Sequence, residues 1–139
     1  MPQSLEVMNA NPTPPKRILL VDDDPAIQAL YARVLSSAGF DIKSANNGRE
    51  ALSSIPEFSP DLIILDLIMP EQEGIETILK LQEQQGAPPI IAISGAIGAN
   101  EYLNVANLLG ARRTLMKPIT PDQLLSAVRA VLTSEVKNA

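Results

Sequence analysis

Five side chains in this sequence could do chemistry together: Asp22, Asp23, Asp66, Ser94 and Lys117. All stand where a short apolar run stops. Arg17-Ile18-Leu19-Leu20-Val21 ends in Asp22-Asp23-Asp24-Pro25, and Leu62-Ile63-Ile64-Leu65 ends in Asp66. Ile90-Ile91-Ala92-Ile93 ends in Ser94, and Thr114-Leu115-Met116 ends in Lys117. Such runs, short and rich in β-branched residues, read as strands buried on both faces, the kind that parallel sheets contain. In a parallel sheet the carboxyl ends share one edge, and the crevice beyond that edge is where ligands bind. Three carboxylates meeting there repel one another, and either raised pKa values or a bound cation relieves them. The chain has no histidine and no cysteine, which leaves a hard, oxygen-ligated ion such as Mg2+ as the expected metal. A divalent ion, the Lys117 ammonium and the Ser94 hydroxyl would form a cage for the oxygens of a transferring phosphoryl group. Asp66, on the middle strand, is the candidate nucleophile, because a carboxylate can itself take the group as an acyl phosphate.

Taken singly, each residue also has an ordinary structural reading. Asp22 and Asp23 serve as turn and capping residues, Asp66 as the start of a turn before Met69-Pro70, Ser94 as a loop hydroxyl and Lys117 as a solvated surface lysine. It is their coincidence at successive strand ends that argues for a site.

Positioning these groups requires the strands to alternate with helices. Asp24-Pro25 fits a helix N-cap with proline in the first turn. Ile27, Leu30, Tyr31, Val34, Leu35 and Ala38 then recur at helical spacing up to Gly39. Phe40 to Ala45 reads as a strand, and Asn46-Asn47-Gly48 leads into a short helix carrying Ala51, Leu52 and Ile55, closed by Pro56 and Pro60. After Pro70 a polar loop through Gly74 precedes a helix with Ile75, Ile78, Leu79 and Leu81. A helix from about Ala99 to Leu109 carries Tyr102, Leu103, Val105, Ala106, Leu108 and Leu109, more apolar surface than one packing face uses. Thr120-Pro121-Asp122-Gln123 has the form of a capping box for a last helix bearing Leu124, Leu125, Val128, Val131 and Leu132. Five strands alternating with five helices through short links imply an α/β fold, a parallel sheet covered on both faces.

At 139 residues the chain holds one core of ordinary size. Residues 1–15 are polar and proline-rich and are expected to be a disordered leader, residues 16–134 the domain, and residues 135–139 a short tail. No apolar run is long enough to cross a bilayer and no secretory signal opens the chain, so no membrane contact and a cytoplasmic location are expected. A formal net charge of -5, without a cluster of Lys and Arg, argues against a nucleic-acid partner.

Val21-Asp22-Asp23-Asp24-Pro25, Asp66-Leu67-Ile68-Met69-Pro70, Ser94-Gly95 and Lys117-Pro118 stand in an order and approximate spacing that resemble the receiver domain of bacterial two-component response regulators, CheY-like proteins. The likeness runs from roughly Lys16 to Thr133. It implies a flavodoxin-like doubly wound sheet with strand order 2-1-3-4-5, an order for which a member of this family is itself a standard example. Carried over by position, Asp66 is similar to the phospho-accepting aspartate and Asp23 to the direct Mg2+ ligand. Asp22 matches the acid that holds the metal mainly through water, and the Ile68 backbone carbonyl a further ligand. Ser94 matches the switch hydroxyl, Lys117 the lysine that pairs with the phosphoryl group, and the Lys117-Pro118 bond is cis in the family. Two departures stand out. Thr114 occupies the position where the family usually has Tyr or Phe, and Met69-Pro70-Glu71-Gln72-Glu73-Gly74 replaces the usual Met-Pro followed by Met-Asp-Gly.

The function expected from these residues is that of a stand-alone receiver. It would take a phosphoryl group onto Asp66 from a histidine kinase or histidine phosphotransfer protein, with no separate enzymatic activity beyond its own phosphorylation and dephosphorylation. Its signal would pass by contact through the last two helices and the strand between them, where the family's partners and dimer mates bind, so a homodimer is among the expectations. Ile68 and Ala96, at the positions that influence hydrolysis in the family, cannot orient a water, which implies a phospho-form lasting many minutes. The alternative on the same fold is a phosphorylation-independent adaptor. A phosphohydrolase would want a second acid where Ile68 stands, and a flavin module would want more aromatics than the 3% present.

Overall fold

A computed structural model describes residues 13–67, 73–84, 86–95 and 99–137. Most of the expected leader lies outside these residues. Five strands, β1 (Arg17–Val21), β2 (Asp41–Ala45), β3 (Leu62–Asp66), β4 (Ile90–Ser94) and β5 (Arg113–Met116), alternate with five helices. The helices are α1 (Pro25–Ser37), α2 (Gly48–Phe58), α3 (Glu73–Gln82), α4 (Ala99–Leu108) and α5 (Pro121–Lys137). All strand pairings are parallel, in the order β2-β1-β3-β4-β5. This is the flavodoxin-like arrangement that the resemblance to receiver domains implied.

The centre of the sheet is buried on both sides because β3, β4 and all of β1 after Arg17 are apolar up to their carboxyl ends, and the two-residue period of a strand sorts these residues onto two faces. Leu19, Val21, Ile63, Leu65, Ile90 and Ala92 pack with Ile78 and Leu81 of α3 and with Leu103 and Ala106 of α4. Ile18, Leu20, Leu62, Ile64, Ile91 and Ile93 pack with Tyr31 and Leu35 of α1 and with Leu124, Val128 and Val131 of α5. Each fully buried Leu or Ile contributes about 1.5–3 kcal/mol, so β1, β3 and β4 form the rigid centre from which the carboxyl-end residues project.

The helix starts are fixed by side-chain caps, those at Asp24 and Thr120 as expected from the sequence and a third at Asn47. Asp24 accepts from the Ala26 and Ile27 amides, Pro25 opens α1, and Asn47 accepts from the Glu50 amide at 2.8 Å. Thr120 and Gln123 form the reciprocal pair, Thr120 N–H to Gln123 Oε1 at 2.9 Å and Gln123 N–H to Thr120 Oγ1 at 3.1 Å. Three details differ from expectation. Pro56 does not close α2 but sits inside its last turns, where the helix loses one hydrogen bond and continues. It ends instead at Ser59, left-handed at φ 52°, whose N–H reaches the Ile55 carbonyl. Gly74 lies within α3 rather than in the loop before it. Leu30 and Leu79 fall on outer faces, 51% and 47% exposed, because a helix buries only one stripe and their neighbours Tyr31, Ile78 and Leu81 already fill it.

Candidate functional site

β1 and β3 are adjacent, with Val21 opposite Leu65, so Asp22 and Asp66 follow at the same level on neighbouring strands. Main-chain bonds continue past the strand ends and fix what comes next. Asp22 N–H donates to the Ala45 carbonyl at 3.1 Å, Leu67 N–H to Ile93 at 2.8 Å, and Lys117 N–H to Ser94 at 2.9 Å. Residues far apart in the chain are thereby set around one rim, at the carboxyl ends of β1, β3, β4 and β5, which are neighbours in the sheet.

The Lys117 Nζ lies 3.3 Å from Asp66 Oδ2 and 3.4 Å from Asp22 Oδ2. Its stem crosses Gly95, where an added Cβ would stand 2.6 Å from Lys117 Cβ, so the absent side chain at 95 is what lets the lysine reach across β4. Asp22 and Asp66 are buried, Asp23 is exposed, and one carboxylate oxygen from each of the three lies within 4.8 Å of the others. Asp22 has both oxygens in use, Oδ1 accepting from the Asp24 N–H at 2.9 Å and Oδ2 facing Lys117. Ser94 is fully buried at the end of β4, and its Oγ has no hydrogen-bond partner among the described residues. The Lys117-Pro118 peptide is cis. Thr114 is half-buried in β5.

The electrostatics follow from this packing. Burial lowers the Lys117 pKa, but Asp66 and Asp22, by charge and by hydrogen bond, outweigh it and leave the value raised. Tyr31 on α1 was legible in the sequence only as a core residue, yet it too feels the site. Burial raises its pKa, Lys117 pulls it down, and Asp22 and Asp66 push it up. A polar-tipped ring in the helix that follows the acids was the available signal.

The donor set fits a small divalent cation. Mg2+ takes hard oxygen ligands, and Asp22, Asp23 and Asp66 offer one carboxylate oxygen each within 4.8 Å of the others. One ammonium cannot balance three carboxylates, and of the three Asp23 is the exposed one. Ile68, whose carbonyl was expected as a further ligand, lies outside the described residues, as does Ala96. The arrangement offers a nucleophilic carboxylate, an ammonium beside it and a buried hydroxyl awaiting an acceptor, which together suit a tetrahedral anion carrying several oxygens.

Comparison with known proteins agrees with this geometry. The family described as "Response regulator receiver domain" matches residues 18–129. The DNA-binding response regulator MtrA of Mycolicibacterium smegmatis is 35% identical over 117 residues, 84% of this chain and 50% of that protein. Response regulator MprA of Mycolicibacterium vanbaalenii is 38% identical over 118 residues, 85% of this chain and 51% of that protein. This chain thus spans about half the length of either relative. Among solved structures, a CheY-like receiver domain protein from Methanospirillum hungatei superposes with a TM-score of 0.83 at 29% identity, over 90% of this chain and 99% of that one. A signal receiver domain from Bermanella marisrubri gives 0.78 at 35% identity, over 85% and 98%.

Proposed function

The chain belongs to the response regulator receiver family, and from that premise we propose that it accepts a phosphoryl group on Asp66 from the phosphohistidine of a histidine kinase or histidine phosphotransfer protein. An Asp66 carboxylate oxygen attacks phosphorus in line with the leaving imidazole. The P–N bond breaks as the P–O bond forms, and the donor histidine departs with the electron pair and takes up a proton. Lys117 pairs with a phosphoryl oxygen as it leaves its present carboxylate contacts, and the Ser94 hydroxyl gains its missing acceptor from another. Asp23 and Asp66 would hold Mg2+ directly and Asp22 through water, with the Ile68 carbonyl a further ligand. When bound, the ion supplies the positive charge that lets an anionic carboxylate approach an anionic phosphoryl group. The histidine must come from the partner, because this chain has none.

The observation that carries the reading is the meeting of Asp66, Asp22 and the Lys117 ammonium at 3.3 and 3.4 Å beside an unpartnered buried serine. The chain acts only on itself, making and losing its own acyl phosphate, and the output is a changed contact with another protein. With a formal net charge of -5, that partner is protein rather than nucleic acid. The contact face is α4–β5–α5, where Val105, Leu108 and Met116 are 42%, 84% and 48% exposed. The same exposure is what favours the second reading, a phosphorylation-independent adaptor. Acetyl phosphate with Mg2+ distinguishes them by intact mass. One added phosphoryl group, lost in Asp66→Ala and without Mg2+, supports acceptance at Asp66; an unmodified wild type leaves the adaptor.

A further inference from the structure

Gln28 stands near the start of α1, was not singled out by its type or spacing, and places its amide nitrogen within hydrogen-bond distance of three oxygens at the edge of the site. Its Nε2 lies 2.6 Å from the Asp22 carbonyl, 2.8 Å from the Ala45 carbonyl and 3.1 Å from Asn46 Oδ1. The two main-chain oxygens can only accept, so the nitrogen of the amide must face them. Its two N–H groups match the two shorter distances, and both of those bonds are partly shielded from solvent.

We infer that Gln28 is a positioning residue whose amide clamps the ends of β1 and β2 together and thereby aims Asp22 and Asp23. The carbonyl of Asp22 belongs to the planar peptide unit that joins the two acids. Holding that oxygen fixes the direction in which the chain leaves Asp22 and enters Asp23. Among the described residues, no other hydrogen bond of Asp22 does this. Its N–H is tied to Ala45 and its side chain to Asp24 N–H and Lys117, which orient Asp22 itself but not the unit after it. The Ala45 carbonyl receives both the Asp22 N–H and Gln28 Nε2, so the clamp closes on one point. α1 itself is anchored to the same turn through the Gln28 main-chain N–H, which donates to the Asp24 carbonyl at 3.0 Å.

The inference rests on the reading of the acids as a cation site, and its test separates the two. Mg2+ alone is titrated calorimetrically into wild type, Gln28→Leu and Gln28→Glu, while hydrogen exchange is followed in the metal-free proteins. Leucine keeps the bulk and removes the donors. Glutamate keeps the shape, turns an acceptor toward two carbonyls and adds a negative charge near the acids. Charge alone would tighten Mg2+ in the glutamate variant, whereas lost positioning weakens it in both. The expected result is a Kd raised about tenfold in each, as for partners that orient metal ligands, with faster exchange at the Asp22 and Asp24 amides than at those of Leu20 and Ile64. A Kd within about twofold of wild type in either folded variant overturns the inference, even where thermal stability falls, since that pattern belongs to a purely structural residue. A wild type that binds no Mg2+ overturns the cation reading and the inference with it.

Discussion

Lys117, half-buried, and Ser94, fully buried, are opposite cases of a polar group at the strand ends, one held by two partners and the other by none among the described residues. The Lys117 pKa is raised, since the pull of burial downward is exceeded by Asp66 and Asp22 acting upward. A raised value means the folded chain holds the proton more tightly than the unfolded chain does. The resulting stability is whole below the ordinary value of 10.5 and is lost as pH rises through the higher folded value. Tyr31 acts in the same direction above its ordinary 10.0, because burial, its largest influence, raises it against the opposing Lys117. Denaturant unfolding should therefore give a stability that falls from about pH 10 upward, with a smaller fall in Lys117→Met. An equal fall in both proteins would place the loss elsewhere. At Ser94 the hydroxyl is desolvated with no partner among the described residues, so Ser94→Ala should stabilise the resting fold by on the order of 1 kcal/mol. The same change removes a donor for the phosphoryl group and should slow acetyl phosphate labelling by up to about a hundredfold. Thermal unfolding and the labelling time course read the two effects separately, and a variant that loses stability without losing rate would deny Ser94 its role.

At the scale of elements, α3 is placed by a contact the sequence did not disclose. Gly74 was read as loop, yet it is inside the helix, and a Cβ there would meet the Leu67 main chain at 2.5–2.8 Å. Leu67 directly follows Asp66, so the first turn of α3 abuts the segment leaving the proposed phospho-acceptor. Gly74→Ala would gain helix propensity of about 1 kcal/mol but must push two backbones apart, an overpacking that costs about 1–3 kcal/mol. A net loss of melting temperature with slowed labelling is expected; a stabilised variant with the wild-type rate would show that the turn yields freely. The strands, the caps at Asp24 and Thr120, and the polar residues at the strand ends were legible because each is a local signal. Close approach of α3 to β3, the exposure of Leu30 and Leu79 and the continuation of α2 through Pro56 were not, because each depends on which neighbour arrives. Gln28 was missed for the same reason, its partners lying on two strands.

For the whole molecule, parallel strand direction is what converts scattered residues into a site, and it also stores repulsion there. The core of β1, β3 and β4 holds the carboxylates of Asp22, Asp23 and Asp66 within 4.8 Å of one another, a closeness that the unfolded chain does not impose. One ammonium offsets part of that cost. A divalent ion that binds the folded rim and not the unfolded chain offsets more, and by mass action it stabilises the entire fold by about 2.7 kcal/mol when present at a hundredfold its dissociation constant. Melting temperature should rise with Mg2+ and return on chelation. Asp23→Asn removes the exposed ligand and one of the three like charges, so this variant should start more stable than wild type without metal and gain little from adding it. That crossing of the two titration curves is the signature of a cluster assembled for a cation. If wild type and Asp23→Asn rise in parallel with Mg2+, the ion acts elsewhere on this acidic chain, and the strand-end carboxylates owe their proximity to folding alone.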